Sequence, residues 1–126
     1  MQKEYVNIGK IDISQYSKLC DAEILTDEVI ITYKQIEHIN EKRDGTYNKY
    51  KNQLKEIIQN PDYIIKDNKH QNTGLIIKKY HKNVVLVLKL STNTENKKNS
   101  IITIWEIKQK RLERYLFTHE TIYKNE

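Results

Sequence analysis

Scarcity is the first mark of this chain: 126 residues hold one proline, one cysteine and three glycines. A lone cysteine, Cys20, has no partner for an internal disulfide, which excludes the stapled scaffolds of small secreted domains. So little Pro and Gly excludes collagen-like and low-complexity chains. No apolar run approaches the roughly 18 residues that a membrane-crossing helix needs. Also missing are a Gly-rich phosphate loop, a Cys/His zinc pattern, an acidic calcium loop and a nucleophile elbow. Their absence removes most NTPase, zinc-site and serine-hydrolase readings.

What is present is basic and periodic. Twenty-two Lys and Arg against 17 Asp and Glu give a formal net charge of +5, which favours an anionic partner. With 37% hydrophobic residues, 126 residues suit one folded domain spanning 1–126. The start, Met1-Gln-Lys-Glu-Tyr-Val, lacks the basic segment and apolar block of a secretory signal, so the expected location is cytoplasmic.

Periodicity predicts an α+β domain. Tyr5 to Ile13 suits a short strand around Gly9, and β-branched Glu28-Val-Ile-Ile-Thr32 suits a strand entering a helix. Ile36 and Ile39 mark a helix over 33–42, stopped by Asp44-Gly45, and Tyr50, Leu54, Ile57 and Ile58 mark a second over 47–59, stopped before Pro61. Four short apolar runs follow, at 63–66, 75–78, 84–90 and 101–107, with turn-like segments at 67–74 and 91–99 between them. The simplest assembly is a four-stranded antiparallel meander covered by the two N-terminal helices. Leu112, Tyr115 and Leu116 predict a C-terminal helix over 108–117, and Thr121 to Tyr123 suits a last short strand.

Strand alternation proposes a site. Val84, Leu86, Leu88 and Leu90 share the face expected beneath the helices, leaving Val85, Val87 and Lys89 on the other. In the last run Ile101, Thr103, Trp105 and Ile107 are expected to share a face. Lys89, Thr103, Trp105 and either Lys78 or Lys79 can then form a basic groove, with Trp105 read either as a platform for an unpaired base or as core. His38 is the best general acid or base, because imidazole titrates near neutral pH. Arg43 suits bidentate contact with a phosphate. A solvated surface histidine and a helix-end arginine are the plain alternatives.

The pattern resembles the phage-associated Barnase/EndoU/colicin/RelE-like nucleases, the BECR fold. The resemblance is carried by Val29-Ile-Ile-Thr32, Ile36-Glu-His-Ile39 with Arg43, Ile57-Ile-Gln-Asn-Pro-Asp62, Leu75-Ile-Ile-Lys-Lys79, Val85-Leu-Val-Leu-Lys89 and Asn99-Ser-Ile-Ile-Thr103. It implies two helices before a four-stranded antiparallel sheet, and a toxin-like or phage-associated RNA endonuclease, often acting on tRNA. Carried over, the catalytic set is His38, Arg43, Lys78 and Thr103; Lys79, Lys89 and Trp105, read from the basic groove, are expected to bind RNA. No metal or other cofactor is expected. The expected partner is RNA, with room for an immunity or antitoxin protein and no membrane. A noncatalytic RNA-binding or phage-assembly module is the competing reading, and an immunity protein, typically acidic, fits the charge less well.

Overall fold

The longest alternating apolar stretch fixes the middle of the fold. In the computed structural model, which describes residues 4–43, 45–92 and 98–125, this stretch is a central strand. In chain order the strands are β1 (Tyr5–Lys10), β2 (Glu28–Thr32), β3 (Tyr63–Lys66), β4 (Thr73–Lys79), β5 (Asn83–Lys89), β6 (Asn99–Ile107) and β7 (Thr121–Lys124). The helices are α1 (Ile13–Tyr16), α2 (Tyr33–Lys42), α3 (Thr46–Tyr50), α4 (Leu54–Gln59) and α5 (Gln109–Thr118), with a 3-10 turn at Ser17–Leu19. No helix among the described residues is long and apolar enough to cross a membrane.

The domain is α+β, but the expected four-stranded antiparallel sheet under two N-terminal helices is overturned. One seven-stranded mixed sheet runs β1-β2-β6-β5-β4-β3-β7. Its four middle strands, β6 to β3, are the antiparallel meander that alternation predicts. The additions lie at both ends. β2 joins β6 in parallel through Val29↔Asn99 and Ile30↔Ser100, β1 pairs antiparallel with β2, and β7 returns to β3. These strands are short and half-polar, and their partners are distant in sequence, so local periodicity shows the strands without showing what they pair with.

Buried Asn99 secures the parallel junction. Its amide donates to the Thr26 carbonyl at 2.8 Å and its side-chain oxygen accepts the Ser91 N–H at 2.8 Å. Most of the turn-like segment 91–99 falls at 93–97, outside the described residues, as does Asp44 of the predicted helix stop.

The helices also differ from expectation. The predicted 47–59 helix is two, α3 and α4, joined by a tight turn in which the Gln53 N–H reaches the Tyr50 carbonyl at 2.8 Å. The break turns Tyr50 toward β6 while Leu54, Ile57 and Ile58 remain buried. α1 and the following 3-10 turn occupy a stretch that reads as polar. Asp12 caps α1 by accepting the Ser14 N–H at 3.0 Å, and Tyr16 and Leu19 anchor the pair in the core. Gly74 makes that anchoring possible: a Cβ there would stand 2.7 Å from a Leu19 methyl carbon.

Two apolar layers result. Val84, Leu86, Leu88 and Leu90 pack with residues of α1 to α4, as alternation predicts. The reverse face is covered too, because Val85, Val87 and Ile107 pack with Leu112 of α5. Alternation along β6 itself fails at one point. Val87 pairs with Thr103 but Leu88 pairs with Ile101, so Ile102 is an extra residue, a β-bulge. Ile101 and Ile104 therefore join the helix-covered layer, while Ile102 and Trp105 join the α5 layer. The expected shared face of Ile101, Thr103, Trp105 and Ile107 is broken by that one residue.

Candidate active site

The site begins with how α2 is fixed. Thr32 caps its start by accepting the Gln35 N–H at 3.0 Å, satisfying a helix-end donor that would otherwise lack a partner. Buried Ile39 and half-buried Ile36 hold the inner face. With 3.6 residues per turn, Lys34, His38 and Lys42 fall on one outward stripe at i, i+4 and i+8.

The far end is equally held. The Arg43 N–H reaches Ile39 O at 2.8 Å, and the Arg43 carbonyl accepts from both the N–H and the hydroxyl of Thr46. Gly45 sits at φ +71°, a left-handed conformation that favours glycine where the chain reverses into α3. Arg43 thus leaves the helix end at a fixed place, with its guanidinium carbon 4.9 Å from the centroid of the Trp105 ring.

β6 supplies the opposite wall. Its ladder to β2 stops at Ser100, and α2 packs beside the strand beyond that point. Between them lies an open hollow of about 640 Å³, to which α2 contributes Lys34, His38, Lys42 and the adjoining Arg43, and the bulge contributes Ile102 and Thr103. Of the predicted catalytic set, His38, Arg43 and Thr103 are therefore brought together. They are 60 or more residues apart across the two walls, and the short β2–β6 ladder is what lets α2 reach the bulge.

Lys78 is not among them. It lies on β4, two strands away, and its ammonium donates to the Asn60 carbonyl at 2.7 Å. Lys79 stands over the Tyr63 ring at 5.4 Å, with its backbone N–H donating to Asp62. Lys89 lines a separate hollow of about 550 Å³ with Lys69 and His70, which touches the first through Ile102. Trp105 is half-buried in the α5 layer and carries Arg43 on its ring, so it is both core and support.

Two groups of cations in this region were not among the expected site residues: Lys34 and Lys42, which flank His38, and the cations of α5. A hollow of about 560 Å³ between β6 and α5 is lined by Arg43, Trp105, Lys110, Arg111 and Arg114. The signals were present: an i, i+4, i+8 stripe on α2 and the basic run Lys108-Gln-Lys-Arg-Leu-Glu-Arg114.

Electrostatics separate this region from its neighbour. Among the described residues, the side chains of Lys34, His38, Lys42 and Arg43 make no hydrogen bond or ion pair. Glu106, one strand position past Trp105, is fully engaged. Lys49 donates to it at 2.6 Å, the Tyr50 hydroxyl also donates, and Lys82 stands 3.7 Å away. The Lys49 and Tyr50 bonds hold the Glu106 carboxyl below the usual carboxylate range. Burial, then the bond to Glu106, pushes the Tyr50 phenol far up, and burial with a bond to Glu56 does the same for Tyr80. Among the described residues, no three His, Cys, Asp or Glu side chains gather as a metal site.

An imidazole, a guanidinium, two ammonium groups and a hydroxyl facing one hollow can move a proton and hold a phosphate. No curated protein and no solved structure matches the chain. One family model does, described as phage-Barnase-EndoU-ColicinE5/D-RelE like nuclease 2, over residues 7–124. That span runs from within β1 to the end of β7 and takes in both walls of the hollow, so the chain belongs to this family of phage nuclease-like domains.

Proposed function

We propose that this protein is a metal-independent RNA endonuclease, working in the cytoplasm, whose site is the hollow between α2 and the bulge of β6. The observation that carries the reading is the convergence of His38, Arg43 and Thr103 on that hollow, their side chains making no hydrogen bond or ion pair among the described residues. In the proposed reaction the ribose 2′-oxygen attacks the adjacent phosphorus. His38 accepts the 2′-hydroxyl proton, the 2′-O–P bond forms, and the P–O5′ bond breaks. The departing 5′-oxygen takes a proton from water, and the product end is a 2′,3′-cyclic phosphate.

Charge builds on the nonbridging oxygens as phosphorus becomes pentacoordinate. Arg43, held over Trp105, supplies a planar pair of donors to them, and Lys42 takes the place that sequence reasoning gave to Lys78. Thr103 donates a hydrogen bond from the strand side. The test is a defined RNA and its copy carrying a single 2′-deoxyribose at the mapped cut, both incubated in EDTA. Cleavage of the first to a cyclic phosphate and survival of the second is the expected result. Cutting at the deoxy position, or loss of all cutting on chelation, would sink the mechanism. tRNA and a toxin-like role are the natural first choices for substrate and setting, and an immunity or antitoxin protein the natural protein partner.

A further inference from the structure

The hollow under α5 has no part in the reaction just described, yet it shares a lining residue with the site. Arg43 lines both. Besides Lys108, its other cations, Lys110, Arg111 and Arg114, come from the first two turns of α5 and are exposed. Among the described residues none of the three has an acidic partner; Arg111 lies 5.8 Å from the Tyr115 ring. The carboxylate on this wall, Glu106, is held by Lys49, Tyr50 and Lys82 and is not free to neutralise them. A helix that clusters unpaired like charge over a half-apolar floor accepts a repulsive cost that an anion removes.

Resting on the reading of the α2 hollow as the cleavage site, we propose that the α5 hollow is a second backbone-binding subsite. It holds phosphates of the same RNA strand away from the cut. The substrate class is therefore an extended single-stranded segment, a loop or a tail, and not an isolated dinucleotide. The floor argues for unpaired RNA. With the Arg43 guanidinium carbon 4.9 Å from the Trp105 ring centroid, the pair offers a cation and an aromatic ring together to a base, and only a base outside a helix can reach them. Arg43 would then be the hinge between the two subsites, meeting the cut phosphate from one side and the flanking nucleotide from the other.

The experiment measures binding and cleavage as a function of RNA length. Binding uses labelled, uncleavable 2′-O-methyl single strands from two to about twelve nucleotides, with wild type and the Arg111→Ala/Arg114→Ala double variant. Wild-type affinity should rise at least tenfold once the strand spans both hollows. The double variant should lose that rise, bind the dinucleotide within twofold of wild type, and show a shallower salt dependence by about one to two in log–log slope. On cleavable RNA, KM for the long strand should rise while turnover of the dinucleotide is unchanged. The Arg111→Lys/Arg114→Lys variant should restore most of the long-strand affinity, which a merely structural role would not predict.

Equal long-strand binding by the double variant would overturn the proposal. So would an equal loss at every length, or tighter binding of polyglutamate than of RNA. Length-dependent, Arg111- and Arg114-dependent binding without any cutting would leave the subsite standing and remove the cleavage reading. His38-dependent cutting with no length dependence would do the reverse.

Discussion

Two regions of this molecule are built from the same residue types and are used oppositely. Around Glu106, lysines and tyrosines are tied to carboxylates: Lys49, Tyr50 and Lys82 hold Glu106, and Tyr80 holds Glu56 while stacking on Tyr50 at 6.3 Å. Along α2, one strand edge away, Lys34, His38, Lys42 and Arg43 face a hollow whose lining, among the described residues, holds no carboxylate. The first arrangement uses polar groups to clip α3 and α4 to the sheet. The second leaves them without an ion-pair partner among the described residues, where the proposed substrate phosphate would bind. Charge by itself, +5 over the chain, does not distinguish these uses; compensation does.

The sharpest way to break this contrast is within α2 itself, at two adjacent residues. His38→Ala should lower the rate of RNA cutting by roughly a hundredfold or more while leaving the melting temperature unchanged, since it removes the proposed proton-moving group and the side chain is exposed. Ile39→Ala, one position on and fully buried, should cost about 2–5 kcal/mol of stability in a urea titration. If both variants melted alike, the division of α2 into a working face and a packed face would be wrong.

Smaller effects sharpen the comparison. Arg43→Lys keeps the charge but loses the planar fork and the fit over Trp105, and should slow cutting by roughly tenfold with little change in stability. Glu106→Gln should do the opposite, leaving cutting intact and costing about 1 kcal/mol near neutral pH. The pH dependence follows from the lowered carboxyl. Glu106 contributes fully above the ordinary carboxylate range, and its contribution fades as pH falls through that range toward the lowered folded-state value. Wild type and Glu106→Gln should therefore converge in stability in acid, and a gap that widened there would contradict the clip. Lys78→Ala should be nearly silent in cleavage assays, within about twofold, because its ammonium serves the Asn60 carbonyl.

The middle of the fold was legible because periodicity is a local signal. The run from Val84 to Leu90 announces its two faces, and Ile36 with Ile39 announces α2. The resemblance named the family, and of the residues carried over with it His38, Arg43 and Thr103 line one hollow. What was not legible depends on pairing. Nothing near Val29 says that it meets Asn99 in parallel, and nothing near Thr121 says that β7 returns to β3. The bulge at Ile102 is a single uncounted residue, yet it reassigns every side chain on one half of β6. Lys78 was carried in by its place in a motif, and only the register of β4 shows that it lies two strands from the bulge. The cations of α5 were visible as a basic run but had no address until α5 was laid over the reverse face.

The measurement that bears most directly on the account is cutting of total RNA in EDTA by wild type, His38→Ala and Glu106→Gln side by side, with product ends sequenced. The account predicts the same discrete cyclic-phosphate ends from wild type and Glu106→Gln, and none from His38→Ala. Undiminished cutting by His38→Ala, or its loss in Glu106→Gln, would contradict it and move the chemistry from the uncompensated region to the compensated one.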